Sequence, residues 1–241
     1  MQNKKLLLLA WLIVFPMCLF AQNKENIIKV ACIGNSITEG YALTHPETES
    51  YPAVLQRLLG DKYKVGNFGL TAHTLMMKGN LPYMAKQPYQ DALAFQPDIV
   101  TIKLGTNDSK PINWVHKEDF QKDLNTMIDA FEALPSRPRI YLCLPIPSNS
   151  EDWGINDSII TYGVIPRIKD VAHERHLPVI DLNTPLRPYY PKEYTDEVHP
   201  NKYGAIIIAE NIYRALTGKE PVPAPGRADQ TLWYDEPAAQ W

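Results

Sequence analysis

The sequence predicts an α/β fold: a flavodoxin-like three-layer α/β/α sandwich around a five-stranded parallel sheet. Three observations predict it. Five short apolar runs alternate with segments of helical periodicity, the order that βαβ units produce. No internal repeat interrupts the alternation. The first three runs each end in small polar residues, and in an open parallel sheet such strand ends share one edge.

The elements follow in order. The first strand is Ile27–Ile33, which stops at Gly34-Asn35-Ser36. A helix opens near Ser50-Tyr51-Pro52, with proline in its first turn and Val54, Leu55, Leu58 and Leu59 on one face. Tyr63–Val65 is a short second strand, ended by Gly66-Asn67-Phe68-Gly69. A helix over Tyr89–Phe95 precedes the third strand, Asp98–Leu104, and Gly105-Thr106-Asn107-Asp108 follows it. Lys117–Leu134 is the clearest helix, since Phe120, Leu124, Met127, Ile128, Phe131 and Leu134 recur at i, i+3 and i+4. Arg139–Leu144 is the fourth strand. Asp157–His176 is a helix kinked at Pro166, because proline lacks the N–H the ladder needs. Pro178–Leu182 is the fifth strand and Lys202–Leu216 the last helix.

The chain has 241 residues, 45% of them hydrophobic and 21% charged, which suits one α/β domain with appendages. Residues 1–21 read as a signal peptide. Lys4 and Lys5 precede an apolar run from Leu6 to Ala21, shorter than the roughly 20 residues a membrane span needs. Export to the periplasm or the exterior is therefore expected. Phe15-Pro16-Met17 before Cys18 is a poor lipobox, so a lipid anchor is not expected. The domain itself covers 22–217, and 218–241 is a Pro-rich linker with an aromatic tail. The formal charge of −3 becomes two units more negative once Lys4 and Lys5 leave, and no basic cluster offsets it. That argues against nucleic acid, whose binding rests on Lys/Arg–phosphate contacts. Cys32 and Cys143 sit within apolar runs and read as buried thiols on separate strands.

A serine at a strand end is, taken alone, a turn residue. To act as a nucleophile it needs a base, and the base needs an orienting group. His199 has the best context of the six histidines. It lies in Asp196-Glu197-Val198-His199-Pro200-Asn201, after the fifth strand and before the last helix, on the same sheet edge. Asp196, three residues upstream, is within reach of the ring. His173 and His176 are spaced for a metal on a helix but lack a third ligand, so a solvated face is expected. His45 and His116 read as surface loop residues. Asn35, Tyr41 and His73 are candidates for a substrate pocket. No metal site and no cofactor are expected.

These residues carry a resemblance. The chain resembles the SGNH hydrolases, the GDSL-type esterases and acylhydrolases, in four ordered blocks from about Ile28 to Leu216. Gly34-Asn35-Ser36 resembles the first, which implies Ser36 as nucleophile and its N–H as an oxyanion donor. Asn67-Phe68-Gly69 resembles the second, which implies the Gly69 N–H as another donor. Gly105-Thr106-Asn107-Asp108 resembles the third, which implies the Asn107 amide. Asp196-Glu197-Val198-His199 resembles the last, which implies the remaining triad members. Two positions depart from the pattern: Asn35 replaces the usual Asp, and Ala72 stands where the second block often has another Gly.

The resemblance implies the SGNH hydrolase fold, a carboxylic ester hydrolase and an acyl-enzyme route. Its wording in "GNSITEGYA" is similar to secreted bacterial carbohydrate O-acetylesterases, including sialate O-acetylesterase-like proteins. Acetylated carbohydrate is the expected substrate. A lysophospholipase or short-chain lipase, and a non-catalytic glycan-binding SGNH domain, stand as alternatives. No long apolar lid lies between the blocks, which argues against a long-chain lipase. The tail "LWYDEPAAQW" resembles the opening of an α-L-fucosidase-family glycoside hydrolase domain. Oligomeric state is not legible.

Overall fold

A computed structural model describes residues 26–221. The expected signal peptide, residues 1–21, and the aromatic tail lie outside the described residues. Five strands form one all-parallel sheet: β1 Ile28–Gly34, β2 Tyr63–Gly69, β3 Ile99–Lys103, β4 Arg139–Leu144 and β5 Val179–Asp181. Their order across the sheet is β2-β1-β3-β4-β5. The expected three-layer sandwich is what forms. β1 lies at the switch point, with neighbours whose connections run in opposite directions, where open α/β sheets place their ligands.

The helices are α1 Ser36–Glu39, α2 Tyr51–Leu59, α3 Gln87–Ala94, α4 Phe120–Glu132, α5 Ile165–Glu174 and α6 Lys202–Thr217, with shorter turns between. Strand alternation splits the core in two. Ala31, Ile33, Val100, Ile102, Ile140 and Leu142 pack under α3, α4 and α5. Val30, Cys32, Ile99, Tyr141 and Cys143 pack under α2 and α6. A strand covered on both faces reads as a continuous apolar run, which is why β1, β3 and β4 were legible. Cys32 and Cys143 are buried and unbridged, as expected.

One element differs from expectation. β2 runs on through Gly66-Asn67-Phe68-Gly69, because seven residues pair in register with β1, Ile28 with Tyr63 through to Gly34 with Gly69. Parallel pairing overrides the turn character of those residues. The 157–176 segment is helical as expected, running unbroken from α-helical Asp157–Ile159 through a π-helical stretch over Ile160–Val164 into α5. Pro166 follows directly on the π-helical stretch, inside the helical run, where it cannot donate to the ladder. The π stretch absorbs the shift in the ladder.

Candidate active site

The strand ends gather the chemistry. β1 stops at Gly34, and Asn35 caps α1 by accepting the Ile37 N–H at 3.1 Å. Ser36 is the first residue of that helix, so its own N–H has no intrahelical acceptor. The turn is compact enough to demand glycine on both sides. A Cβ at Gly34 would stand 1.9 Å from Thr38 Oγ1, and one at Gly69 would stand 2.1 Å from the Glu39 nitrogen.

His199 arrives from the other end of the chain. Asn201 caps α6 through the N–H groups of Tyr203 and Gly204, 2.9 and 3.1 Å away. Thr195 N–H donates to the His199 carbonyl at 2.8 Å, closing the 195–199 loop. Inside the loop, the Asp196 Oδ1 accepts the N–H groups of Val198 and His199, both at 2.7 Å. The His199 Nδ1 donates to Asp196 Oδ2 at 2.9 Å. That assigns the proton to Nδ1 and leaves Nε2 as acceptor for the Ser36 hydroxyl, 2.8 Å away. Ser36, His199 and Asp196 therefore form one hydrogen-bonded chain.

Electrostatics favour a working base. Burial pushes the His199 pKa down; Asp196 pulls it up; Lys103 and Lys110 push it down again, and the balance falls below the ordinary value. The imidazole is then neutral at neutral pH. Burial pushes the Asp196 carboxyl up, but the hydrogen bonds from His199 and Val198 outweigh it, and it stays ionised.

Asn107 follows β3 in a 3₁₀ turn, and its Nδ2 donates one hydrogen to the His73 carbonyl at 3.1 Å, leaving the other free. The long loop after β2 has little regular structure, and buried polar groups hold it. The Asp108 carboxylate accepts the N–H groups of Leu75 and Met76 at 3.0 and 2.8 Å, and Asp123 accepts that of Met77 at 2.7 Å. Asn113 pairs with Asn80.

Three expected site residues need correction. The Gly69 N–H is not free: Asn67 Oδ1 accepts it at 2.9 Å. Along this loop the Leu70, Thr71 and His73 N–H groups also have acceptors, in Gly34, Glu39 and Leu70. The Ala72 N–H has none, and Ala72 holds a left-handed φ of 66°. This is the position where a glycine would be unstrained. The free amide of the loop is thus three residues beyond the one expected. Asn35 is fully buried as a helix cap, not part of a pocket. His73 is buried too, its Nδ1 2.6 Å from the Thr71 carbonyl, and it braces the loop.

Tyr41 stands at the mouth of the site. It is 48% exposed and its ring centroid lies 4.7 Å from that of His199. Sequence reasoning missed its partner, Trp153, 42% exposed and 5.0 Å from His199. A tryptophan among Glu151, Asp152 and Gly154, in the loop after β4, was the available signal. Among the described residues no group of three or more metal-ligating side chains is present, and no helix is long and apolar enough to cross a membrane.

A sheet with a hydroxyl, an imidazole and a carboxylate aligned at its carboxyl edge defines a class of protein, and comparison with known proteins agrees. Residues 32–205 match the GDSL-like Lipase/Acylhydrolase family. The chain belongs to that family. It is 44% identical over 210 residues to an acetylxylan esterase of Xylanibacter ruminicola, covering 80% of this chain and 44% of that protein's length. The chain thus spans less than half of that relative. The fold matches the lipase/acylhydrolase of Enterococcus faecalis with a TM-score of 0.65 and 25% identity, covering 82% of this chain and all of the other. It also matches a carbohydrate acetylesterase of Sinorhizobium meliloti with a TM-score of 0.66, covering 79% of this chain and 99% of the other. At 19% identity, that second likeness concerns the fold alone.

Proposed function

We propose that this chain is an exported serine esterase that removes acetyl groups from carbohydrate, with Ser36, His199 and Asp196 as its triad. The observation that carries the reading is the continuous hydrogen-bonded chain from the Ser36 hydroxyl through His199 to Asp196. His199 Nε2 takes the Ser36 proton as Oγ attacks the ester carbonyl. The negative charge that grows on the carbonyl oxygen is met by the Ser36 N–H, the Ala72 N–H and the free Asn107 amide hydrogen. Such fixed donors are each worth about 2.7–4 kcal/mol of barrier. His199 then protonates the departing sugar oxygen. Water, deprotonated by His199, releases acetate from the acyl-enzyme.

The identity to a protein named acetylxylan esterase supports an acetylated plant polysaccharide as substrate. Tyr41 and Trp153 beside His199 support a sugar ester over a long acyl chain, since the rim they make is aromatic and not aliphatic. The leader-like residues 1–21 support export. Two finer readings rest on sequence resemblance alone: the sialate O-acetylesterase-like branch, and the tail as the start of a glycoside hydrolase module.

Acetate release from acetylated xylan and hydrolysis of 4-nitrophenyl acetate, by wild type and Ser36→Ala, test the proposal. Equal rates in the two proteins remove Ser36 as nucleophile. A wild-type rate that climbs with acyl length moves the reading to a lipase or lysophospholipase. No hydrolysis at all, with retained sugar binding, moves it to a glycan-binding domain.

A further inference from the structure

A cleft of about 440 Å³ opens beside Asp196. One wall is the loop after β4, with Ser150, Asp152 and Trp153. The other is the loop after β5, with Pro191, Tyr194 and Glu197. The cleft is built, not incidental. The two loops are joined by the Asn149 N–H, which donates to the Glu197 carbonyl at 3.1 Å, and the Tyr190 hydroxyl donates to the same carbonyl from within its own loop at 3.2 Å. The Tyr194 hydroxyl donates to the Pro147 carbonyl at 2.8 Å and fixes that ring as a wall. Its volume lies within the range of about 300–1,000 Å³ typical of small-molecule sites.

The lining names the ligand. Trp153 and Tyr194 offer aromatic surface to the C–H face of a sugar ring, and Pro191 adds apolar area. Asp152, Asp196 and Glu197 are acceptors for hydroxyl hydrogens. No lysine or arginine lines the cleft. An anionic sugar would meet carboxylates with no compensating cation, so the cleft selects a neutral one. Trp153 also flanks His199, and its ring meets that of Tyr41 edge-on at 6.3 Å. A chain whose ester sits at Ser36 thus has a continuous aromatic path from the rim into the cleft.

We propose that this cleft is an accessory subsite for a neutral sugar unit, next along the chain from the acetylated one. The subsite rests on the carbohydrate-esterase reading and adds to it a preference for oligosaccharides over single sugars. The test measures kcat/KM on acetylated xylose, xylobiose and xylotriose, and on an acetylated xylotriose bearing a glucuronic acid. The wild type is expected to gain at least tenfold from monosaccharide to trisaccharide, mostly through KM. It is expected to lose at least fivefold when the uronic acid is present. Trp153→Ala is expected to flatten the length gradient. Asp152→Asn combined with Glu197→Gln, which alters charge without removing an aromatic wall, is expected to narrow the uronic acid penalty. Acetylated sugars hydrolysed with no length gradient, an unchanged gradient in Trp153→Ala, or preference for the uronic substrate overturns the subsite alone. Hydrolysis of 4-nitrophenyl acetate without any acetylated sugar overturns the carbohydrate reading, and the subsite falls with it.

Discussion

His199 Nε2 lies 2.8 Å from Ser36 Oγ, although 163 residues separate them in the chain. The two ends of the fold meet because β1 and the loop after β5 both finish at one sheet edge. If they act as a unit, their losses do not add. Ser36→Ala, His199→Ala and the double variant are each expected to lower kcat on 4-nitrophenyl acetate by about 10⁴–10⁶-fold, with the double no worse than the singles. A double variant slower by the product of the two would sink the idea of a coupled pair. Thermal unfolding of all three should stay near wild type, since neither residue belongs to the apolar core.

Asp196 holds the His199 ring in one tautomer and raises its pKa against the effect of burial. Asp196→Asn removes the charge and with it that upward pull. The kcat is expected to fall about 10⁴-fold, because the amide no longer enforces the tautomer. The acid limb of kcat/KM, which reports protonation of the base, is expected to move to lower pH. In the wild type that limb should already lie below the ordinary histidine value of about 6.5. A limb that moves upward in Asp196→Asn would contradict the arrangement.

The Asn107 amide donates one hydrogen bond, to the His73 carbonyl, and under the proposed mechanism its second hydrogen meets the oxyanion. Asn107→Ala is expected to lower kcat about 10²–10³-fold while KM changes little, since that contact tightens only as charge develops. Losing the His73 bond should also cost about 1 kcal/mol of stability. A rise in KM at constant kcat, measured by steady-state kinetics, would assign Asn107 to ground-state binding instead.

The strands were legible because burial on both faces makes them unbroken apolar runs, and the residues of the hydrogen-bonded chain Ser36–His199–Asp196 because each lies in a short local motif at a strand end. The loop after β2 was not. Its position depends on Asp108, Asn113 and Asp123, whose side chains accept backbone N–H groups about 30 to 46 residues away. No local pattern encodes such anchors. Gly69 looked like a donor through the resemblance of Asn67-Phe68-Gly69 to a family block. Here it serves close packing against Glu39, and Asn67 occupies its N–H. Trp153 was passed over because a lone aromatic in a loop has no period to mark it.

Lys103 closes β3 directly beside Gly34 in register, fully buried, and its Nζ has no hydrogen-bond partner in the protein. Burial pushes its pKa down to about 7, with the neighbouring Cys143 opposing. An amine that ionises near 10.5 when unfolded but near 7 when folded costs stability wherever the unfolded chain is the better proton binder. The cost is absent above pH 10.5, grows as pH falls, and levels off below about pH 7, where it is of the order of 4 kcal/mol. Lys103→Met, which keeps the length and removes the amine, is expected to raise stability at pH 7 by roughly 2–4 kcal/mol in urea unfolding, with the gain fading toward pH 10. The same charge helps hold the His199 pKa down. Its removal should therefore move the acid limb of kcat/KM to higher pH, opposite in direction to Asp196→Asn. A variant that is more stable yet keeps the wild-type pH profile would show that Lys103 does not act on the base. One that is less stable at pH 7 would show that the amine has a partner that outweighs its burial.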